Sequence, residues 1–112
     1  MDNPIPDKLH TSDNTAVSRD KQTAFLKQLT GWTVVNDKNI NQLQRIFGFK
    51  NFVDAMAFTN RIAELAEQAD HHPAIITEWG KVTVTWWTHR IKGLHLNDFV
   101  MAKKTDQAYA KL

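Results

Sequence analysis

The chain lacks cysteine and holds only three prolines, four glycines and no long apolar run. Without cysteine there are no disulfides and no thiolate metal ligands, and a cytoplasmic location is expected. Apolar stretches such as Ala74-Ile75-Ile76 extend for a few residues. A membrane-spanning helix takes roughly 20. No basic-then-apolar leader opens the chain, so no secretory signal is expected. Neither sign of charge dominates: fourteen Lys and Arg face twelve acids, for a net charge of +2. The basic residues are scattered, with a single doublet at Lys103-Lys104. A nucleic-acid-binding surface gathers its positive charge on one face, so direct nucleic-acid binding is not expected. There is no phosphate-binding glycine loop, no HExxH pattern and no obvious nucleophile.

What remains is a chain of 112 residues, 42% hydrophobic, long enough for one domain with a modest core. Residues 1–17 are polar, carry Pro4 and Pro6 and show no hydrophobic period, which reads as a loosely ordered arm. Residues 18–112 read as a single domain. Ser18 is a good N-cap for a first helix to about Thr30, with Phe25, Leu26 and Leu29 on its apolar face and Gly31 ending it. Residues 32–35 and 40–49 predict a hairpin turning at 36–39, although Leu43, Ile46 and Phe47 do not alternate cleanly. Residues 51–69 predict the longest helix. Its apolar residues form two stripes, Phe52, Met56, Ala63 and Ala66 on one and Phe58, Ile62, Leu65 and Ala69 on the other. Such a helix is either deeply buried or part of a subunit interface. A second hairpin follows over 74–79 and 82–89, turning at Gly80-Lys81. Val82, Val84, Trp86 and Thr88 point one way, and Thr83, Thr85, Trp87 and His89 the other. A last helix begins near Asn97. The order α-β-β-α-β-β-α predicts an α+β fold, a four-stranded antiparallel sheet with helices packed on one face.

The chemistry concentrates between residues 67 and 98. Glu67, Asp70, His71, His72, His89 and Asp98 bring imidazoles and carboxylates together in a short stretch. An imidazole exchanges protons near neutral pH without much tuning. Pro73 forces His72 into extended geometry, so the long helix should stop near Asp70 and the two adjacent rings should point to opposite sides. Glu67, one turn before His71, is placed to orient that ring if the helix persists. Divergent neighbouring rings are poor joint metal ligands. His71 with His89 and Glu67 stays open as a zinc alternative, but no metal and no cofactor are expected. The four tryptophans read first as core, with one or two available to stack on a flat heterocycle. His10 and His95 have no assigned role.

Glu67, His71-His72-Pro73, Trp79, Thr88-His89 and Asp98 at these spacings resemble the signature of the pterin-4a-carbinolamine dehydratases. Gly31-Trp32, Phe47-Gly48-Phe49, Val82 and Gly93-Leu94 support the likeness, which covers about residues 20–108. The resemblance implies a cofactor-independent dehydratase in tetrahydrobiopterin recycling. It would remove water from 4a-hydroxytetrahydrobiopterin, the 4a-hydroxytetrahydropterin that aromatic amino acid hydroxylases release, to give quinonoid dihydropterin. Carried over by motif, His71, His72 and His89 are the catalytic set, with His71 and His89 as the proton-transfer pair and His72 positioning substrate. Glu67, Asp70, Pro73, Thr88, Arg90 and Trp32 complete the substrate-binding set. The resemblance further implies a homodimer or homotetramer and a functional link to an aromatic amino acid hydroxylase. Two alternatives come with it. One is a transcriptional dimerisation cofactor docking through Phe58, Ile62 and Leu65. The other is an enzyme acting on a different pterin, as in molybdopterin metabolism. The chain departs from the family at His95, where Ser or Thr is usual and a weaker helix cap is expected. Trp86-Trp87 also stand where smaller residues are familiar. Asp98 reads as structural rather than catalytic.

Overall fold

The computed structural model describes residues 4–10 and 13–112. The order is α1 (Arg19–Leu26), β1 (Thr33–Asp37), β2 (Ile40–Gly48), α2 (Phe52–Ala69), β3 (Ala74–Glu78), β4 (Lys81–Trp86) and α3 (Leu96–Ala110), with a 3-10 turn at His89–Ile91 before α3. The four strands form one sheet in the order β1-β2-β4-β3, and every neighbouring pair is antiparallel. The expected α+β architecture is thus the observed one.

The second hairpin turns at Trp79-Gly80, one residue before the expected Gly80-Lys81, since Lys81 already pairs with Glu78, and the first follows from its turn. Lys38 and Asn39 both adopt positive φ, the geometry a two-residue connection needs to match strand twist. The two hairpins join through β2 and β4, with Leu43 opposite Trp86 and Phe47 opposite Val82. The broken alternation in β2 now has a cause. Leu43 and Phe47 face the helices and are buried, while Ile46 sits on the uncovered face and is 57% exposed. Val82, Val84 and Trp86 are fully buried on the helix side of β4.

Helices α2 and α3 cover that side, and α1 packs on α3. Ser18 caps α1, its hydroxyl accepting from the Lys21 N–H at 3.2 Å. The helix ends at Leu26, four residues earlier than expected, because the chain tightens into turns from Gln28 onto the Phe25 carbonyl and from Leu29 onto that of Leu26. Asn51 caps α2 through the Asp54 N–H at 2.8 Å. Only one stripe of α2 is buried by its own chain: Ala55, Phe58, Ile62 and Ala66. Phe58 and Ile62 are therefore core residues, which corrects their expected place on a docking surface. The large apolar side chains that α2 does expose are Phe52 and Val53.

Helix α3 is buried on most sides. Phe99, Val100, Met101, Ala102 and Thr105 are all fully inaccessible. The sheet and α2 cover its inner face. Phe25 of α1 packs on Phe99 at 5.2 Å, and Ile5, itself buried, adds a further cover.

Candidate active site

The C-terminal end of α2, the exit of β4 and the N-terminal turn of α3 meet at one place. Asp70 ends α2 in left-handed geometry, φ 49°, and the His71 N–H reaches back to the Ala66 carbonyl at 3.1 Å. This reversal carries His71 off the helix axis and aims it at α3. β4 stops at Trp86, and a bridge between Thr88 and Gly93 closes the loop holding His89 and Arg90. The first turn of α3 then presents Asp98.

Asp98 is completely buried, and its two oxygens have divided work. Oδ1 pairs with His71 Nε2 at 2.6 Å. Oδ2 accepts from the Thr88 hydroxyl at 2.8 Å and from the His95 backbone N–H at 2.9 Å. The His71 ring stacks on the Trp86 indole, with centroids 5.5 Å apart and planes at 25°. Trp86 is itself fixed by donating Nε1–H to Thr105 Oγ1 at 3.1 Å. His71 is thus held at an edge by a carboxylate and at a face by an indole. Its Nε2 is engaged, and Nδ1 has no partner among the described residues.

This arrangement replaces the expected pairing of Glu67 with His71. Because the left-handed turn at Asp70 breaks the i,i+4 register, Glu67 pairs instead with His72 Nε2, and both side chains are exposed. An exposed pair of this kind contributes little stability. The expected weak cap at His95 is also corrected. His95 Nδ1 accepts from the Asn97 N–H at 3.0 Å, and with Asp98 it completes a capping box on α3. Since Nδ1 accepts, the ring proton lies on Nε2, which donates to Asp13 Oδ1 at 3.0 Å.

A cavity of about 240 Å³ opens beside His71. Of the predicted site residues it brings together Asp70, His71, Thr88 and Arg90. Its volume approaches the lower end of small-ligand pockets, roughly 300 Å³. Glu67, His72, Pro73 and His89 are not among its lining residues. His89 is exposed and stacks on Trp87 at 4.5 Å and 29°, which places the bulky Trp87 on the His89 face as expected. Trp32 lies elsewhere. It is buried in the core, edge-on to Phe47, and donates Nε1–H to Asp106 Oδ1 at 2.8 Å. Asp106 is on α3 eight residues beyond Asp98, or about 12 Å along the helix at 1.5 Å per residue. Among the described residues, no three His, Asp or Glu side chains gather to hold a metal ion.

Sequence reasoning missed the part played by four residues. Asp98 stood in the motif but was read as structural, although it holds the central imidazole. His95 gave no capping signal, since imidazole is not among the usual N-cap side chains. Leu9 and His10 line the cavity from a segment that carried no pattern at all.

A pterin 4 alpha carbinolamine dehydratase family model matches residues 15–108, and the chain belongs to that family. A Marinobacter nauticus protein, provisionally named pterin-4-alpha-carbinolamine dehydratase, is 52% identical over 99 residues, covering 88% of this chain and 89% of its own. A Vibrio vulnificus protein with the same provisional name is 53% identical over 95 residues, covering 85% and 86%. Among solved structures, a Brucella melitensis protein described as a transcriptional coactivator/pterin dehydratase superposes with a TM-score of 0.77. It has 29% identity and covers 85% of this chain and 99% of its own. A pterin dehydratase-like protein identified as a RuBisCO assembly factor shares the fold, with a TM-score of 0.60 at 20% identity, over 70% and 89% of the two chains.

Proposed function

We propose that this protein eliminates water from 4a-hydroxytetrahydropterin, with the biopterin form as substrate in tetrahydrobiopterin recycling. The C4a–O bond breaks, its oxygen leaves as water after gaining a proton, and N5 gives up its proton to form the C4a=N5 double bond. One proton is supplied and one removed, so no redox partner is needed. His71 and His89 serve as the proton-transfer pair, and His72 positions the ring.

The observation that carries this reading is the fixing of His71 at the cavity wall. Its Nε2 is bound by buried Asp98, and its ring lies on Trp86. A fixed imidazole with one nitrogen unengaged can exchange a proton without first reorganising. Thr88 and Arg90 line the same cavity on either side of His89, so the segment bearing the second imidazole borders the ligand space. The family membership supports the same chemistry.

The test follows decay of freshly generated 4a-hydroxytetrahydropterin. Wild type should accelerate it, and His71→Ala should lose about 10²–10⁴-fold of that acceleration, the usual contribution of a general acid or base. Unchanged decay on adding wild type would reject the reading. The same proposal includes a homodimer or homotetramer in solution, which light scattering measures. It also includes action beside an aromatic amino acid hydroxylase.

A further inference from the structure

We propose that residues 4–10 form a wall of the pterin site and that His10 contacts the bound substrate. This rests on the dehydratase reading above. Leu9 and His10 line the cavity that also contains His71, Thr88 and Arg90. The family model begins at residue 15, so His10 lies outside the matched region.

The backbone of His10 is clamped on both sides by one side chain. Its N–H donates to Asn97 Oδ1 at 2.7 Å, and its carbonyl accepts from Asn97 Nδ2 at 3.2 Å. Asn97 is the residue before Asp98, so the clamp refers His10 directly to the turn that holds the His71 imidazole. Anchors lie to either side. Upstream, the Ile5 carbonyl and the Asp7 carboxylate accept from Lys103 Nζ at 3.0 and 2.6 Å. Downstream, Asp13 Oδ1 accepts from His95 Nε2, and Arg90 donates to Asn14 Oδ1 at 2.7 Å and to the Asp13 carbonyl at 2.8 Å. The arm thus engages three cavity-lining side chains, Arg90, His95 and Asn97. The backbone of His10 is held while its imidazole, with Nε2 3.8 Å from Asp13 Oδ2, stays 55% exposed and within reach of a ligand. A side chain placed this way by main-chain bonds adds a polar contact to substrate at small entropic cost.

The experiment compares wild type, His10→Ala, Asn97→Ala and the double variant. It reads kcat and KM for dehydration and the Kd of an oxidised, non-reacting biopterin by fluorescence quenching. Losing one ligand hydrogen bond should raise KM and Kd about three- to tenfold, with kcat within about twofold. Asn97→Ala should reproduce the rise by releasing the clamp, and the double variant should add nothing further. His10→Gln should recover part of the loss. Because His10 is an exposed surface residue, folding is not at stake, and circular dichroism verifies this. Unchanged KM and Kd in His10→Ala overturn the proposal, as do fully additive effects in the double variant. If wild type neither turns over nor binds the pterin, the dehydratase reading itself falls and takes this one with it. Wild-type turnover with an indifferent His10→Ala sinks only the role of the arm.

Discussion

Replacing Asp98 by Asn separates chemistry from folding at one atom. In the native site Oδ2 accepts two hydrogen bonds, one from a backbone N–H that can only donate, and Oδ1 faces His71 Nε2. An Asn side chain has one acceptor and one donor end. Turning its NH₂ toward the His95 N–H would bury two donors against each other, a cost of about 1–3 kcal/mol. The amide oxygen therefore keeps the Oδ2 position, and α3 keeps its cap. The NH₂ is left facing His71 Nε2, which must now accept, so the ring proton moves to Nδ1. The nitrogen available to substrate then has the wrong proton inventory. Inverting a catalytic imidazole in this way costs up to about 10⁴ in kcat. We expect a loss of about 10²–10⁴-fold in kcat, with a stability loss of about 1–3 kcal/mol from weakening one bond to a charged group. Stopped-flow decay of the 4a-hydroxypterin reads the first quantity, and a urea midpoint reads the second. Long-range proton–nitrogen NMR of the His71 ring reports the tautomer. If kcat stays within about twofold while the tautomer inverts, His71 is not the proton-transfer group and the reasoning is refuted.

Phe47→Ala should remove about 3–5 kcal/mol of stability, a large part of the roughly 5–15 available to a domain. Its ring is 1% exposed and lies within 4.8–6.0 Å of the rings of Phe58, Tyr109 and Trp32. A urea titration showing less than about 1.5 kcal/mol would mean that the core repacks around the gap. Asp106 offers a pH test. Burial raises its pKa above 3.8, against the opposing pull of Trp32 Nε1–H and the Arg45 guanidinium. The native state then holds that proton more tightly than the unfolded chain, so stability falls as pH rises from about 3.8 through the raised value. Trp32 and Arg45 both donate to the same oxygen, Oδ1. Asp106→Asn should keep both bonds and flatten the urea-midpoint profile across that window. An unchanged slope there would assign the pH dependence to other groups.

The fold was legible wherever local pattern and tertiary burial agree. Val82, Val84 and Trp86 alternate in the chain and alternate in the sheet. The Pro73 signal and the turn at Asp70 stop α2 at the same residue. Pattern failed where one face of an element stays uncovered. Ile46 reads as core by composition but lies on the open side of β2, and this alone blurred the register. The two stripes of α2 failed for the same reason, since periodicity reports which residues are apolar and not how many sides a neighbour covers.

The site was legible as a list of residues and illegible as a set of pairings. Spacing puts Glu67 under His71 only while the helix continues, and a single residue in left-handed geometry exchanges the partners. After that turn, His71 meets a carboxylate 27 residues away, while Glu67 takes the ring next door. No local rule contains that step, because it depends on where the start of α3 is held. His95 does the holding. Its backbone N–H feeds Asp98, its Nδ1 caps the helix and its Nε2 reaches Asp13 of the arm. A serine in that position could cap the helix, yet its short hydroxyl lacks a second nitrogen aimed outward. The departure from the family pattern at His95 therefore does more than substitute one cap for another. It gives the arm a point of attachment within three residues of the buried carboxylate, and so links the least patterned part of the sequence to the most chemical one.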